Sequence, residues 1–461
     1  MPRHPFAAVN LISDPIHGYV ELTKRLTPDL ADTAGLPHED VAEEDLLDTA
    51  WLQRLRRISQ LQSARWVFPT AEHSRFTHGL GVMHEAGLWA RSLYPSLRAA
   101  LPTAAPGEPI PSEGLVVETM RMAGLLHDVG HGPFAHFFDD HVLAAFAAPA
   151  DARRDGDKRL SHEDLSQRII EDELGGMLRG LRRAPGAVAE RDAFADGESI
   201  DPAWVSFLVA KPALADPAKP RWVRWLAPLL SGVFTVDNLD YVRRDAYLTG
   251  VAAGPVEAER LRRYVFVSER GLTLYEPGLG ALEMFLTARR FLYQQVYFHR
   301  TVRAIDLDLA EVFGPSVRAI FGDASPADRL SAYVDLDEYA LLHQAARWAR
   351  GEDVDQVGRD VADRWRAILL RQPTWRAESE VRAEYEAGAW PDALVATLGR
   401  AEPGRVAIDL AVVDARPADA GSTDALLALE SRDGSSLSLG AALSGIPAYW
   451  LVGRRYRRRS D

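Results

Sequence analysis

The run Gly124-Leu-Leu-His-Asp-Val-Gly-His-Gly-Pro-Phe-Ala-His-Phe-Phe-Asp139 concentrates side chains able to do chemistry. Adjacent His127 and Asp128 close an apolar helical stretch (Val116, Met120, Ala123, Leu126), and His131 follows about one helical turn later on the same side. Gly130, Gly132 and Pro133 end that helix, so His136 and Asp139 can return toward the same corner. A single His-Asp pair is as readily a polar helix end, but three His and two Asp within thirteen residues are not. Imidazole with carboxylate suits Mn, Fe, Co or Zn, and a chain without cysteine cannot build a thiolate site or a disulfide.

One helix end cannot complete a coordination sphere, and two other segments offer ligands. His73-Ser-Arg-Phe-Thr-His78 opens another amphipathic helix, and Thr235-Val-Asp237-Asn-Leu-Asp240-Tyr-Val-Arg-Arg-Asp245 lies further on. Taken alone, Asp237 is equally an N-cap or an ion-pair partner. The order His78, His127-Asp128, Asp237 resembles the HD-domain pattern, and within that superfamily the branch of deoxynucleoside triphosphate triphosphohydrolases, SAMHD-like enzymes and their bacterial relatives. The resemblance extends to Asp14-Pro-Ile-His-Gly-Tyr, to Gln53-Arg-Leu-Arg-Arg-Ile-Ser-Gln60 and to Val67 through His78. It resumes at His162-Glu-Asp-Leu-Ser and Val296-Tyr297-Phe-His-Arg300, so it covers roughly residues 10 to 310.

The resemblance implies roles. His78, His127, Asp128 and Asp237 match the family's metal ligands; two neutral imidazoles and two carboxylates leave a divalent ion formally neutral, with room for a phosphate oxygen and an activated water. A second Mg or Mn arriving with substrate is a further expectation. His131, His136, Asp139 and His162 match catalytic positions: His136, oriented by Asp139, protonates the leaving group, while His131 and His162 hold phosphate oxygens or water. On residue type alone, Ser161-His162-Glu-Asp is equally a polar helix start. Arg75 matches a phosphate-binding arginine, and Gln60 a reader of the sugar 3′ edge, although a Gln on an amphipathic helix also simply faces solvent. Tyr241, Asp245 and Tyr297 match sugar and base positions, with a tyrosine packed to exclude a 2′ hydroxyl. Arg244 and Arg289 are phosphate contacts or, equally, ion pairs within the core. Asp48, Gln53 and Arg56 match positions that bind an activating guanine nucleotide between subunits; Gln-Arg-Leu-Arg is also what a solvated helix face looks like. The pattern departs at Asn238, Tyr293 and Phe298, where SAMHD-like enzymes have lysine, histidine and glutamine, which bears on triphosphate affinity and base preference.

The elements that must position these residues are mainly helical. Leu47, Trp51, Leu55 and Ile58 recur at helical spacing, as do Leu282, Leu286, Arg289, Leu292 and Val296. Pro- and Gly-rich loops at 104–112 and 151–158 interrupt the core near the metal residues and are expected at a pocket rim. Tyr264–Tyr275 alternates and turns at Arg270-Gly271, a short hairpin. The reading is an HD helical core over 1–325, all-alpha apart from small hairpins, and a C-terminal α+β appendage over 326–461, with a strand alternating Val406, Ile408, Leu410 and Val412 and a turn at Asp433-Gly434. Arg454-Arg-Tyr-Arg-Arg-Arg459 reads as a solvated basic end or a nucleic-acid contact.

Composition sets outer bounds. With 53 basic and 66 acidic residues among 461, the formal charge of -13 argues against a nucleic-acid-coating protein, since phosphate neutralisation dominates such binding. Arg3 and His4 precede no sustained apolar region, and no window is long enough for a membrane span; the expected location is the cytoplasm. The sequence thus points to a metal-dependent hydrolase, a homo-oligomer, that cleaves deoxynucleoside triphosphates to deoxynucleoside and inorganic triphosphate. Two rivals stand beside it: an HD phosphohydrolase or phosphodiesterase acting on other nucleotides or single-stranded nucleic acid, and a nucleotide-sensing protein that keeps only the fold.

Overall fold

The computed structural model describes residues 8–35, 41–148, 159–186, 189–210, 216–416 and 420–459. The expected rim loop at 151–158 lies outside the described residues. An N-terminal antiparallel hairpin, β1 (Val9–Asp14) and β2 (Gly18–Thr23), precedes the helices. The periodicity at Leu47–Ile58 predicts one helix but yields α1 (Glu43–Leu47), α2 (Ala50–Arg54) and a 3₁₀ turn. Thr49 causes the break: its hydroxyl accepts the Leu52 N–H at 3.4 Å and caps a new helix. Leu47, Trp51, Leu55 and Ile58 are buried all the same.

Two long helices frame the candidate metal residues: α3 (Arg75–Ala104) carries His78, and α4 (Glu113–Leu126) ends just before His127 and Asp128. They pack tightly because position 124 is glycine: a Cβ there would sit 2.8 Å from the Val82 carbonyl oxygen. After α4 the chain turns through His127–Gly130 into α5 (His136–His141), followed by α6 (His162–Arg168) and α7 (Val236–Thr249). The expected hairpin forms as β3 (Val265–Ser268) and β4 (Gly271–Tyr275), with Gly271 at φ +104° opening the second strand. Next, α8 (Leu279–Leu292) widens into a π turn over Tyr293–Tyr297 and leads to α9 (Arg300–Phe321).

Beyond residue 325, α10 (Glu338–Ala349) and α11 (Arg359–Leu369) place Trp348 and Trp365 in the same apolar core that runs from Val20 to Leu443. The strands β5 (Trp375–Tyr385), β6 (Val406–Asp414), β7 (Ala428–Glu430), β8 (Ser436–Leu437) and β9 (Tyr449–Arg458) complete three sheets among the described residues. β7 pairs in parallel with β4, so the tail extends the earlier hairpin, and β9 lies between β5 and β6. With 54% helix and 15% strand the fold is mainly α, and the all-alpha expectation is corrected: the alternating C-terminal segments form paired strands.

Two readings of the tail change. β6 buries Asp409, Ala411 and Val413, while Leu410 and Val412 stay 39% and 38% exposed. The inner face is selected by Phe298, against which Ala411, Val413, Trp450 and Val452 pack, and by Arg303, which pairs with Asp409 at 2.6 Å. The basic end is neither loose nor unpaired: it forms β9, where Arg454 is buried against Glu380 and Arg455 and Arg457 both pair with Glu378. Among the described residues, no helix is long and apolar enough to cross a membrane.

Replacing Trp365 by Ala removes a fully buried ring and its 2.8 Å hydrogen bond to Ser316. The expected cost is about 3 to 5 kcal/mol. Denaturant unfolding followed by both far-UV and tryptophan signals should show one transition shifted as a whole, because α11 shares the core of the metal-bearing helices.

Candidate metal centre and substrate cavity

His78 lies in the first turn of α3, His127 and Asp128 just past the end of α4, and Asp237 in the first turn of α7. Thr235 is the N-cap of α7, accepting the Asn238 N–H at 3.0 Å, so Asp237 is released from capping to face the histidines. His78 Nε2 is 3.1 Å from Asp237 and 3.9 Å from Asp128, and His127 Nε2 is 3.3 Å from Asp128 and 3.8 Å from Asp237. Donor atoms held about 2.1 Å from one ion stand roughly 3 to 4 Å apart, and His78, His127 and Asp128 form a donor group compact enough for a divalent cation, with Asp237 at its edge 3.1 Å from His78. Among the described residues the buried Nε2 of His127 has no hydrogen-bond partner, consistent with a lone pair reserved for such an ion.

Both ring orientations are fixed from behind. His127 Nδ1 donates to the Gly124 carbonyl at 2.8 Å, and His78 Nδ1 donates to Asp240 at 2.9 Å, leaving each Nε2 as the ligand atom. Asp240 also accepts from His17 at 2.6 Å and from two nitrogens of Arg244 at 2.8 and 2.9 Å. Burial disfavours the charged imidazolium, yet the bonds to Asp237 and Asp240 outweigh it and raise His78 to about 10, while Asp237 is lowered to about 2 against the same burial. The site is therefore built to hold positive charge.

A second cluster adjoins the first: His131, His136, Asp139 and His162. Asp139 accepts a short hydrogen bond from His162 Nδ1 and stands 3.4 Å from His136 Nδ1. It was expected to orient His136 alone, and its tighter partner is His162; although burial lowers the pKa of His162, Asp139 and Glu163 raise it above the ordinary value. Ser161 caps α6, accepting the Asp164 N–H at 3.4 Å, as the polar helix-start reading required. His131, expected to touch phosphate or water, is fully buried, stacked 3.7 Å from the His162 ring, and outside the cavity lining; its short distance is to Asp128, 3.3 Å.

A cavity of 410 Å³ opens on the metal set and is lined by His136 and His162 on one side and by Tyr241, Tyr293, Tyr297 and Phe298 on another. Gln60, Arg75, Asp245 and Arg289 line it as well. Arg75 is ion-paired to Asp128, but its buried Nε has no partner, and the Gln60 amide oxygen is similarly unpaired. Tyr297 donates to Asp245, which His73 also holds at 2.8 Å, and Arg289 donates to Tyr241 at 3.0 Å and to the Asp414 carbonyl at 2.7 Å. The π turn at Tyr293–Tyr297 shifts the helical phase so that both tyrosines reach the cavity.

Two groups of residues carried alternative readings from the sequence. Arg244 is not a phosphate contact: it is 1% exposed, outside the cavity lining, and saturated by Asp240 and Asp14. Gln53 and Arg56 are bonded to each other at 2.8 Å, and Arg56 covers the Phe76 ring at 3.7 Å, while Asp48 is exposed at the end of α1. Sequence reasoning assigned no role to Asp240 or His17, or to the Ser63, Arg303 and Asp306 side of the cavity. Asp240 carried a signal, since three and four residues on a helix separate it from Asp237 and Arg244 on one face.

Residues 75–186 match the HD domain family model. The uncharacterised protein YwfO of Bacillus subtilis is 29% identical over 76% of this chain and 69% of its own length. The human deoxynucleoside triphosphate triphosphohydrolase SAMHD1 is 26% identical over 72% of this chain and 49% of its own, so the chain spans about half of that enzyme. In fold, a Bacteroides thetaiotaomicron phosphohydrolase crystal structure superposes with a TM-score of 0.65 at 21% identity, covering 98% of this chain and 100% of that one.

Asp240→Asn keeps the shape but removes the charge behind His78. Affinity for Mn or Co, measured by competition with a chelator, should fall about 10- to 100-fold, as for other residues that buttress a metal ligand. His127→Ala and Asp128→Ala should abolish tight binding by elemental analysis.

Proposed function

We propose that this chain, similar to HD-domain phosphohydrolases, is a metal-dependent phosphohydrolase whose substrate is a deoxynucleoside triphosphate, cleaved to deoxynucleoside and inorganic triphosphate. One observation carries the reading: a cavity large enough for a nucleotide places a four-donor metal set and Arg75 beside a wall of three tyrosines. That arrangement suits a ligand with a polyanionic end and an aromatic, sugar-bearing end.

His78, His127, Asp128 and Asp237 would hold one transition metal ion, Mn, Fe, Co or Zn, and a second Mg or Mn would travel with the substrate. The bound cation supplies charge neutralisation for phosphate oxygens and lowers the pKa of a nearby water. Arg75, steadied by Asp128, directs its unpaired Nε to a phosphate oxygen, which orients the chain of phosphates. Water oxygen bonds to the α-phosphorus, the bond from phosphorus to the 5′ oxygen breaks, and that oxygen leaves with the proton of His136. His136 is the exposed member of its cluster, and the Asp139–His162 pair behind it returns the proton. Tyr241, fixed by Arg289, leaves no space for a 2′ hydroxyl. Gln60 and Asp245 address the sugar edge.

A second reading, hydrolysis of nucleoside monophosphates or cyclic nucleotides at the same centre, is favoured by Asn238. That neutral amide lines the cavity where a lysine would neutralise a triphosphate, and its nearest partner is Asp237 at 3.5 Å. A homo-oligomer is expected under either reading. The contacts of Gln53 and Arg56 favour ordinary helix surface over an effector site, and a nucleotide-pool substrate favours the cytoplasm.

Hydrolysis in oxygen-18 water decides the bond. Label should appear in released triphosphate and not in the nucleoside, whereas labelled phosphate with a nucleoside diphosphate would contradict attack at the α-phosphorus. His136→Ala should slow turnover about 10²- to 10⁴-fold. Initial rates and light-scattering mass, measured with and without dGTP or GTP and with Arg56→Ala alongside, should be independent of effector.

A further inference from the structure

The turn that delivers His136 is held in an unfavourable shape by residues far along the chain. Phe134 and Ala135 are consecutive non-glycine residues in the left-handed region, φ +60° and +49°. L side chains avoid that region, and two in succession persist only where the surroundings over-determine them. Gly130 is the last residue before this loop and Phe134 the first of the strained pair, and both are gripped by one segment. Tyr333 donates its hydroxyl to the Gly130 carbonyl at 2.8 Å, and Glu338 accepts the Phe134 N–H at 3.3 Å. Between the two grips lies His131, and immediately after them comes His136.

Glu338 also holds a second stretch of chain that leads into the cavity lining. The oxygen that takes the Phe134 N–H takes the Ser59 N–H at 3.3 Å, one residue before Gln60. Ser59 bridges Ser74, next to Arg75, so a single carboxylate ties the leaving-group side to the phosphate side. Its other oxygen accepts from Arg65 at 2.8 Å. Both Glu338 and Tyr333 are completely buried. Burying a carboxylate is costly, and a hydrophobic residue would fill the same volume; what a hydrophobic residue would not supply is an acceptor for the Arg65 guanidinium and for two backbone N–H groups.

We propose that the segment Tyr333–Glu338 is a positioning element for the chemical step, with Glu338 setting His136 against the metal set across the cavity. Neither residue touches substrate. The proposal rests on the role given above to His136, and its test separates the two ideas.

Glu338→Ala, Glu338→Gln and Tyr333→Phe are compared with the intact chain in kinetics, metal content and amide hydrogen exchange. Glu338→Ala should lower kcat about 10- to 100-fold, the loss typical of a misplaced reacting group, with KM changed less than about two-fold and metal content unaltered. Glu338→Gln, which keeps an acceptor for both N–H groups, should recover most of that loss. Peptides spanning 130–136 should exchange faster in Glu338→Ala and in Tyr333→Phe, and the latter preserves packing should the alanine variant fail to fold. The double variant Glu338→Ala, His136→Ala should be no slower than His136→Ala alone, since one acts through the other. Additive losses, an alanine variant with full kcat, or unchanged exchange over 130–136 would each overturn the proposal. Should the intact chain cleave none of the nucleotides offered, the substrate assignment fails, while the exchange measurement still decides whether the clamp exists.

Discussion

Asp240 accepts four N–H groups, from His78, His17 and twice from Arg244, and this saturated carboxylate is the point on which the rest of the centre depends. Burial pushes its pKa upward, but the surrounding donors hold it well below the usual carboxylate range, so it stays charged. A permanent anion there fixes the tautomer of His78 and offsets the positive charge of Arg244. Arg244 passes the constraint to Asp14 at 2.7 Å, at the end of β1, so an N-terminal hairpin remote in sequence becomes part of the metal site. Removing any member strands a buried charge, which costs far more than the pair contributes when whole.

Close backbone approach is the second requirement. A Cβ at Gly81 would fall 2.0 Å from an Asp240 oxygen, and one at Gly130 would fall 2.2 Å from the His162 carbonyl. Glycine at these two positions lets α7 close on α3 and lets the His127–Gly130 turn close on α6. The two histidine clusters share a corner because of these gaps in side-chain volume. Larger residues would separate them and leave both sets of polar groups buried without partners.

The sequence revealed the centre better than its supports. His78, His127, Asp128 and Asp237 were visible because ligand types recur at helix ends, and the structure brings those four together. Arg244 stayed open between two readings because a buried guanidinium and a phosphate-binding one look alike without knowledge of which helix face is covered, and the ion pairs with Asp240 and Asp14 take the first. The inner face of β6 was not legible for a related reason: Ile408, Leu410 and Val412 alternate convincingly, but the choice of inner face was made by Phe298 and Arg303, more than a hundred residues earlier. The left-handed pair Phe134–Ala135 carried no glycine or asparagine to announce it, since its cause lies at Glu338. Tertiary partners distant in sequence leave no local mark.

The position of β9 has a consequence for the order in which the molecule acquires its parts. β5 and β6 are not neighbours; they join only through β9, a strand that follows both of them. That strand brings Trp450, stacked on Phe298, and Arg454, which donates to the Phe298 carbonyl at 2.5 Å. During synthesis, therefore, a nascent chain holds His78, His127, Asp128 and Asp237, and every residue that lines the cavity, before it holds the strand that backs Phe298. Premature termination anywhere before Tyr449 leaves the full set of lining residues in place but removes the support behind Phe298, so the corner formed by the histidines and aspartates and the rigidity of its aromatic flank arise at separate moments in the life of each molecule.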